Sequence, residues 1–213
     1  MQQGWNKIEA PFYLQSDVLQ IAKELIGKIL VTNFNNILTA GRIVETEAYN
    51  GVVDKASHSY GGRRTNRTEI MYAQGGVSYV YLCYGIHHLF NVVCNVANTP
   101  QAVLIRALEP LFGIEDMLIR TNKKILDNTL TKGPGNVCKA LGITTKHTGS
   151  SLLQEDIYIV DDGFIYDDSI IMTTPRIGID YAGEHAQLPY RFIVKNNKYV
   201  SGKTGSYFIS RNS

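Results

Sequence analysis

Cysteine is scarce in this chain, with Cys83, Cys94 and Cys138 the three in 213 residues. An odd number with no paired ligand spacing argues against a disulfide framework and a structural zinc, and points to a reducing compartment. Long apolar runs are also missing. No stretch approaches the ~18 apolar residues of a membrane span, and the opening MQQGWNKIEAPFYL has no apolar core of signal-peptide length. The expectation is a soluble, cytoplasmic protein without a membrane partner. Net charge is small, +2, so composition alone does not announce a nucleic-acid binder. The charge is nevertheless uneven. Residues 118 to 146 hold Arg120, Lys123, Lys124, Lys132, Lys139 and Lys146 against Asp127 alone, whereas 150 to 170 hold Glu155, Asp156, Asp161, Asp162, Asp167 and Asp168 and no base. These runs read either as solvated faces of opposite sign or as a basic surface for phosphates with an acidic surface turned away from them. Internal repeats and low-complexity segments are absent too. Residues 1–213 therefore read as a single domain, long enough to bury a core without staples.

What is present is concentrated between Arg42 and Glu109. This third of the chain holds six of the thirteen tyrosines, three of the five histidines, the nearby carboxylates Glu45 and Glu47, and a Gly-Gly-Arg-Arg turn. A hydrophobic core needs no such mixture. Alternation along an extended segment puts Ile43, Glu45, Glu47 and Tyr49 on one face and Val44, Thr46 and Ala48 on the other. The run from Val77 to Tyr84 alternates likewise, with Tyr79 and Tyr81 together. Tyr84 has the opposite parity and precedes Gly85, which suggests the tip of a hairpin or loop.

Periodicity predicts a helix over 17–26, with Ser16 as N-cap and Gly27 as its stop. Strands are expected over 28–32 and 37–49, joined by a turn at 33–36. Residues 50–76 are polar and glycine-rich, which leaves a disordered linker or a functional loop; His58 and Arg63-Arg64 favour the loop. The β-branched and aromatic runs 77–84, 90–96 and 102–108 predict an antiparallel sheet. Helices are expected near 113–121 and 135–141, and strands over 169–173 and 190–194. The tail from Asn196 to Ser213 is too polar to assign.

The phrase Arg42-Ile43-Val44-Glu45-Thr46-Glu47-Ala48-Tyr49 is followed by Ala56-Ser57-His58-Ser59, Gly61-Gly62-Arg63, Tyr79-Val80-Tyr81, Tyr84-Gly85, Asn91 and Leu104-Ile105-Arg106-Ala107-Leu108-Glu109-Pro110. Gly133-Pro134-Gly135, then Arg176-Ile177-Gly178-Ile179 and Phe192, follow in order. Together these resemble the alkyladenine (3-methyladenine) DNA glycosylase family over most of the chain.

The resemblance implies an α+β single domain, a curved and mostly antiparallel sheet with surrounding helices and a protruding β-hairpin. It implies a base-excision repair enzyme that flips damaged purines out of double-stranded DNA and hydrolyses the N-glycosidic bond. Glu47 would be the general base, helped by Arg106, with Glu45 structural. Tyr49 would stack on the base, Tyr81 and His58 would line its other side and edge, and Asn91 would limit entry. Tyr84 would be the wedge that fills the gap in the duplex, and Arg63, Arg64 and Arg67 would contact the backbone. A carbonyl within 177–179 would help position water. No metal, cofactor or obligate protein partner is expected, and the absence of a lysine at the matched pocket positions argues against strand cleavage. The residues leave two other readings open. One is a catalytically silent reader of damaged DNA, which would not need Glu47. The other is a nucleoside or sugar glycosidase using Glu45 and Glu47 as a carboxylate pair.

Overall fold

The computed structural model describes residues 4–202. In chain order these form strand β1 (Asn6–Lys7), helices α1 (Ala10–Tyr13) and α2 (Val18–Glu24), and strands β2 (Ile29–Phe34), β3 (Ile37–Tyr49), β4 (Ser78–Cys83), β5 (His87–Cys94) and β6 (Gln101–Phe112). Helices α3 (Ile114–Thr121) and α4 (Pro134–Leu141) follow, then strands β7 (Ile157–Asp161), β8 (Ile171–Thr174) and β9 (Arg191–Val194). All nine strands join one sheet in the order β1-β7-β2-β3-β6-β5-β4, with β9 paired to both β3 and β8. Every pairing is antiparallel. The sheet curls into a half-barrel, the α+β architecture expected.

Local chemistry explains most boundaries. The carboxylate of Asp17, not the hydroxyl of Ser16, caps α2 by accepting from the Leu19 N–H at 2.9 Å and the Gln20 N–H at 3.4 Å. A carboxylate at this position also answers the positive end of the helix dipole. Strands β2 and β3 turn through Asn35 and Asn36, whose φ of 54° and 63° fit the two-residue turn that matches strand twist. Residues 50–76 form an ordered loop carrying three short 3-10 turns, at Gly51–Val53, Tyr60–Gly62 and Glu69–Tyr72.

The main core packs Val18, Ile21 and Ala22 of α2 and Val137, Ala140 and Leu141 of α4 with Ile43, Val44, Ile105 and Leu108 of the sheet. Ile43 and Val44 are adjacent, yet both join that core. The expected alternation therefore fails at Ile43, because the β3–β6 register shifts between Ile43 and Glu45 and again between Glu45 and Thr46. A bulge re-aims side chains in this way.

Strand β7 lies inside the acidic run, where the sequence reading expected no strand. Two of that run's carboxylates are committed to the fold. Asp161 pairs with Lys28 at 2.5 Å, and Asp162 holds Arg42 through two bonds of 3.0 and 2.7 Å. The basic run is likewise not one uniform surface, since Arg120 donates to the Thr39 hydroxyl and the Ala140 carbonyl, both at 3.1 Å. No helix among the described residues is long and apolar enough to cross a membrane.

Candidate active site

Strand β3 changes partners where its carboxylates lie. Its first half pairs with β2, and Glu45, Thr46 and Glu47 pair instead with Ile193, Phe192 and Arg191 of β9. The exchange and the bulge give the two glutamates different surroundings.

Glu45 is 0% exposed and is held by four donors, three of them on Oε1. It accepts from Arg106 Nε at 2.9 Å, Arg191 Nε at 2.8 Å, the Ser201 N–H at 2.6 Å and the Ser201 hydroxyl at 2.9 Å. Glu47 is also fully buried, but its partners belong to a cavity wall. Its Oε1 accepts from the Ile177 N–H at 2.8 Å, and its Oε2 accepts from the Tyr49 hydroxyl at 2.9 Å and Arg106 Nη1 at 3.3 Å. Tyr49, Arg106 and Ile177 all line the cavity, so the carboxylate lies one layer behind it. A carboxylate offers about four lone-pair directions; one remains. Burial opposes the charge on Arg106, but Glu47 and Glu45 outweigh it and raise its pKa.

The cavity measures about 560 Å³, within the range of roughly 300–1,000 Å³ usual for small-ligand sites. His58, Arg67, Tyr81, Tyr84 and Asn91 also line it. His58 meets Tyr81 edge to face, with centroids 4.7 Å apart at 76°, and its Nδ1 is held by the Tyr79 hydroxyl at 2.8 Å. Burial first, then the charges of Arg67 and Arg63, push the His58 pKa down to about 4. The imidazole is therefore neutral at ordinary pH. Asn91 is 3% exposed, and its amide nitrogen donates to the carbonyls of Tyr79 at 3.0 Å and Leu89 at 3.4 Å. Only its amide oxygen is left for the cavity.

The β4–β5 hairpin turns through Tyr84, Gly85 and Ile86, since Cys83 pairs with His87. Tyr84 has φ 50°, uncommon for a bulky residue, and is 89% exposed. It stands at the tip, as its parity predicted. The three arginines part company. Arg67 lies 5.1 Å over the Tyr81 ring at the cavity wall, Arg64 is paired with Glu69 at 2.7 Å, and Arg63 does not line the cavity.

Several wall residues escaped the sequence reading. Tyr79 was legible as the same-face neighbour of Tyr81, although its grip on His58 was not. Tyr181, 71% exposed at the cavity rim, Lys132 and Asn136 carried no local pattern that marks a wall, and Gly133-Pro134-Gly135 was legible only as a block of the resemblance, with no role attached. Among the described residues no group of three His, Cys, Asp or Glu side chains is arranged to hold a metal ion.

The family model described as methylpurine-DNA glycosylase matches residues 12–198. A protein of Clostridium perfringens (strain SM101 / Type A) is 46% identical over 199 residues, covering 90% of this chain and 97% of its own length. One of Bacillus cereus (strain G9842) is 48% identical over 201 residues, covering 91% of this chain and 98% of its own. Both bear the name "Putative 3-methyladenine DNA glycosylase". With the family model spanning most of the chain and relatives this similar along nearly their whole length, the protein belongs to the methylpurine-DNA glycosylase family.

Proposed function

We propose that the protein excises alkylated or deaminated purines, of the 3-methyladenine, 7-methylguanine, hypoxanthine and ethenoadenine class, from double-stranded DNA. Its family makes it a DNA glycosylase, a hydrolase of the N-glycosidic bond. The substrate range, the activated water and the residue roles are our reading. The observation that carries it is a buried glutamate, Glu47, whose three partners, Tyr49, Arg106 and Ile177, all line the cavity.

In this reading the damaged nucleotide leaves the stack and its base enters between Tyr49 and the Tyr81–His58 side. A cationic alkylated purine gains an attraction to an aromatic face, of order 1–2 kcal/mol, that a normal base lacks. Water takes the remaining lone-pair direction of Glu47. Its oxygen bonds to C1′ as the C1′–N bond breaks and its proton passes to the carboxylate; a cationic alkylated base departs neutral, while an uncharged base such as hypoxanthine takes up a proton from solvent as it leaves, and an abasic site remains. The exposed Tyr84 ring fills the gap in the duplex, repaying an unstacking cost of a few kcal/mol. Asn91, fixed by its amide nitrogen, crowds a 2-amino group. The commitment of Glu45 to four donors favours one catalytic carboxylate over a carboxylate pair.

The arginine geometry separates binding from recognition. Arg63→Ala is expected to weaken damaged and undamaged duplexes alike and to flatten the salt dependence, as a lost phosphate contact does. Arg64→Ala should do less, because Glu69 already holds that guanidinium. Arg67→Ala should weaken damaged DNA selectively. Binding isotherms on both duplexes at two salt concentrations check this; equal losses for all three would mean that Arg67 serves the backbone only.

His58 gives a pH prediction. Its folded pKa lies below the usual histidine value, so it stays neutral from about pH 5 to about 8, where an ordinary histidine would titrate. The rate ratio of wild type to His58→Gln should then be flat across that range and change only on approach to pH 4. A wild-type-specific limb in the middle of the range would show a protonated His58 in the working enzyme.

The substrate reading is tested by a panel of duplexes with one hypoxanthine, 7-methylguanine or ethenoadenine each, run beside the free nucleosides. Release from duplexes and not from nucleosides supports it. Nucleoside hydrolysis would favour a glycosidase, and selective binding without release a silent reader.

A further inference from the structure

Tyr49 lines the cavity, and a buried cation lies over its ring. The guanidinium of Arg176 lies 4.8 Å from the Tyr49 ring centroid. That side chain is 0% exposed and does not line the cavity, so it backs the ring on the side away from an entering base. Several contacts fix it there. Asp54 accepts from Nη1 at 2.5 Å and Nη2 at 2.8 Å, the Ala48 carbonyl accepts from Nη1 at 2.8 Å, and the Tyr190 ring lies 5.2 Å away. Asp54 is itself anchored by the N–H groups of Asn50 and Ala56, both at 3.0 Å. The next residue, Ile177, gives its N–H to Glu47 at 2.8 Å.

This arrangement carries a cost. Arg176 Nε is buried without a hydrogen-bond partner among the described residues, and a buried unsatisfied donor is unfavourable. Beside the ion pair that ties the 50–76 loop to the 176–187 segment, the guanidinium also lies over a ring of the cavity wall. The clamp by Asp54 secures the position of the guanidinium over Tyr49, and its planar, weakly hydrated fork can cover a ring in a way that a compact ammonium does not.

We infer that Arg176, clamped by Asp54, is a positioning residue for base recognition. It fixes the plane of Tyr49 so that the ring presents its free face to a flipped purine while the hydroxyl reaches Glu47. The inference rests on the base-stacking role proposed for Tyr49, and it adds a second residue that acts through that ring.

The test compares affinities of the full-length protein for two duplexes of one sequence, one with ethenoadenine and one with a tetrahydrofuran abasic analogue that offers no base. Arg176→Lys keeps a charge opposite Asp54 but loses the flat fork. Arg176→Met paired with Asp54→Leu removes the ion pair without stranding a charge, should the lysine variant fold poorly. Either is expected to weaken ethenoadenine binding roughly tenfold more than tetrahydrofuran binding, the scale of one aromatic stack. In a Tyr49→Ala background the same changes should leave the ratio of the two affinities unaltered, because the ring they act through is gone. Equal losses on both duplexes, or an undiminished effect without Tyr49, would overturn the inference and leave the pair structural. A wild type that does not distinguish the duplexes would overturn it together with the proposed function. A wild type that discriminates yet releases no base would sink the proposed chemistry alone.

Discussion

Glu47→Gln is expected to slow single-turnover base release by about 10²- to 10⁴-fold, the usual scale for a lost general base, while binding of damaged duplex stays largely intact. The amide keeps the size of the carboxylate, and its oxygen can still accept from Ile177 or Arg106. It cannot take a proton from water. Parallel rate and binding measurements separate the effects, since loss of binding alone would make Glu47 a support for the cavity wall. Near-normal turnover in Glu47→Gln would return the chemistry to Glu45.

Glu45→Ala is expected to cost stability before chemistry. The substitution leaves Arg106 and Arg191 without the carboxylate both touch, in a region where the Arg106 and Arg191 side chains are 9% and 5% exposed. Removing one partner of a buried ion pair typically costs about 3–5 kcal/mol, a large share of the roughly 5–15 kcal/mol that holds a domain folded. Glu45→Gln should lose less, because its amide oxygen still accepts from some of the four donors. Urea titration of both variants checks the order. A Glu45→Ala protein of wild-type stability that no longer releases base would place Glu45 in the chemistry.

Regular periodicity and side-chain chemistry made much of the fold legible. The 13 residues of β3, from Ile37 to Tyr49, have the predicted limits, because the β-branched residues Ile37, Thr39, Ile43, Val44 and Thr46 recur along it between an Asn-Asn turn and the polar loop. The hairpin tip at Tyr84 followed from a parity break beside glycine. What escaped notice depends on pairing between distant segments. β7 hid in an acidic run because Lys28 and Arg42, far away in sequence, neutralise its end. The bulge that sends Ile43 and Val44 into one core arises from the register against β6. Arg106 would pass for a surface charge in a strand until Glu45 and Glu47 are seen beside it. Arg176 had no signal as the backing of Tyr49, since 127 positions separate two residues that only the folded β3–β9 region brings together.

The most direct measurement follows one duplex with a single hypoxanthine, incubated with wild type and with Glu47→Gln under enzyme excess. Free base is quantified by chromatography, and strand integrity is read before and after alkali. Wild type should liberate hypoxanthine and leave the strand whole until alkali cuts it at the abasic site, while Glu47→Gln holds the duplex and liberates almost none. Base release by Glu47→Gln at the wild-type rate would contradict a Glu47-activated water, and strand cleavage without alkali would contradict simple hydrolysis.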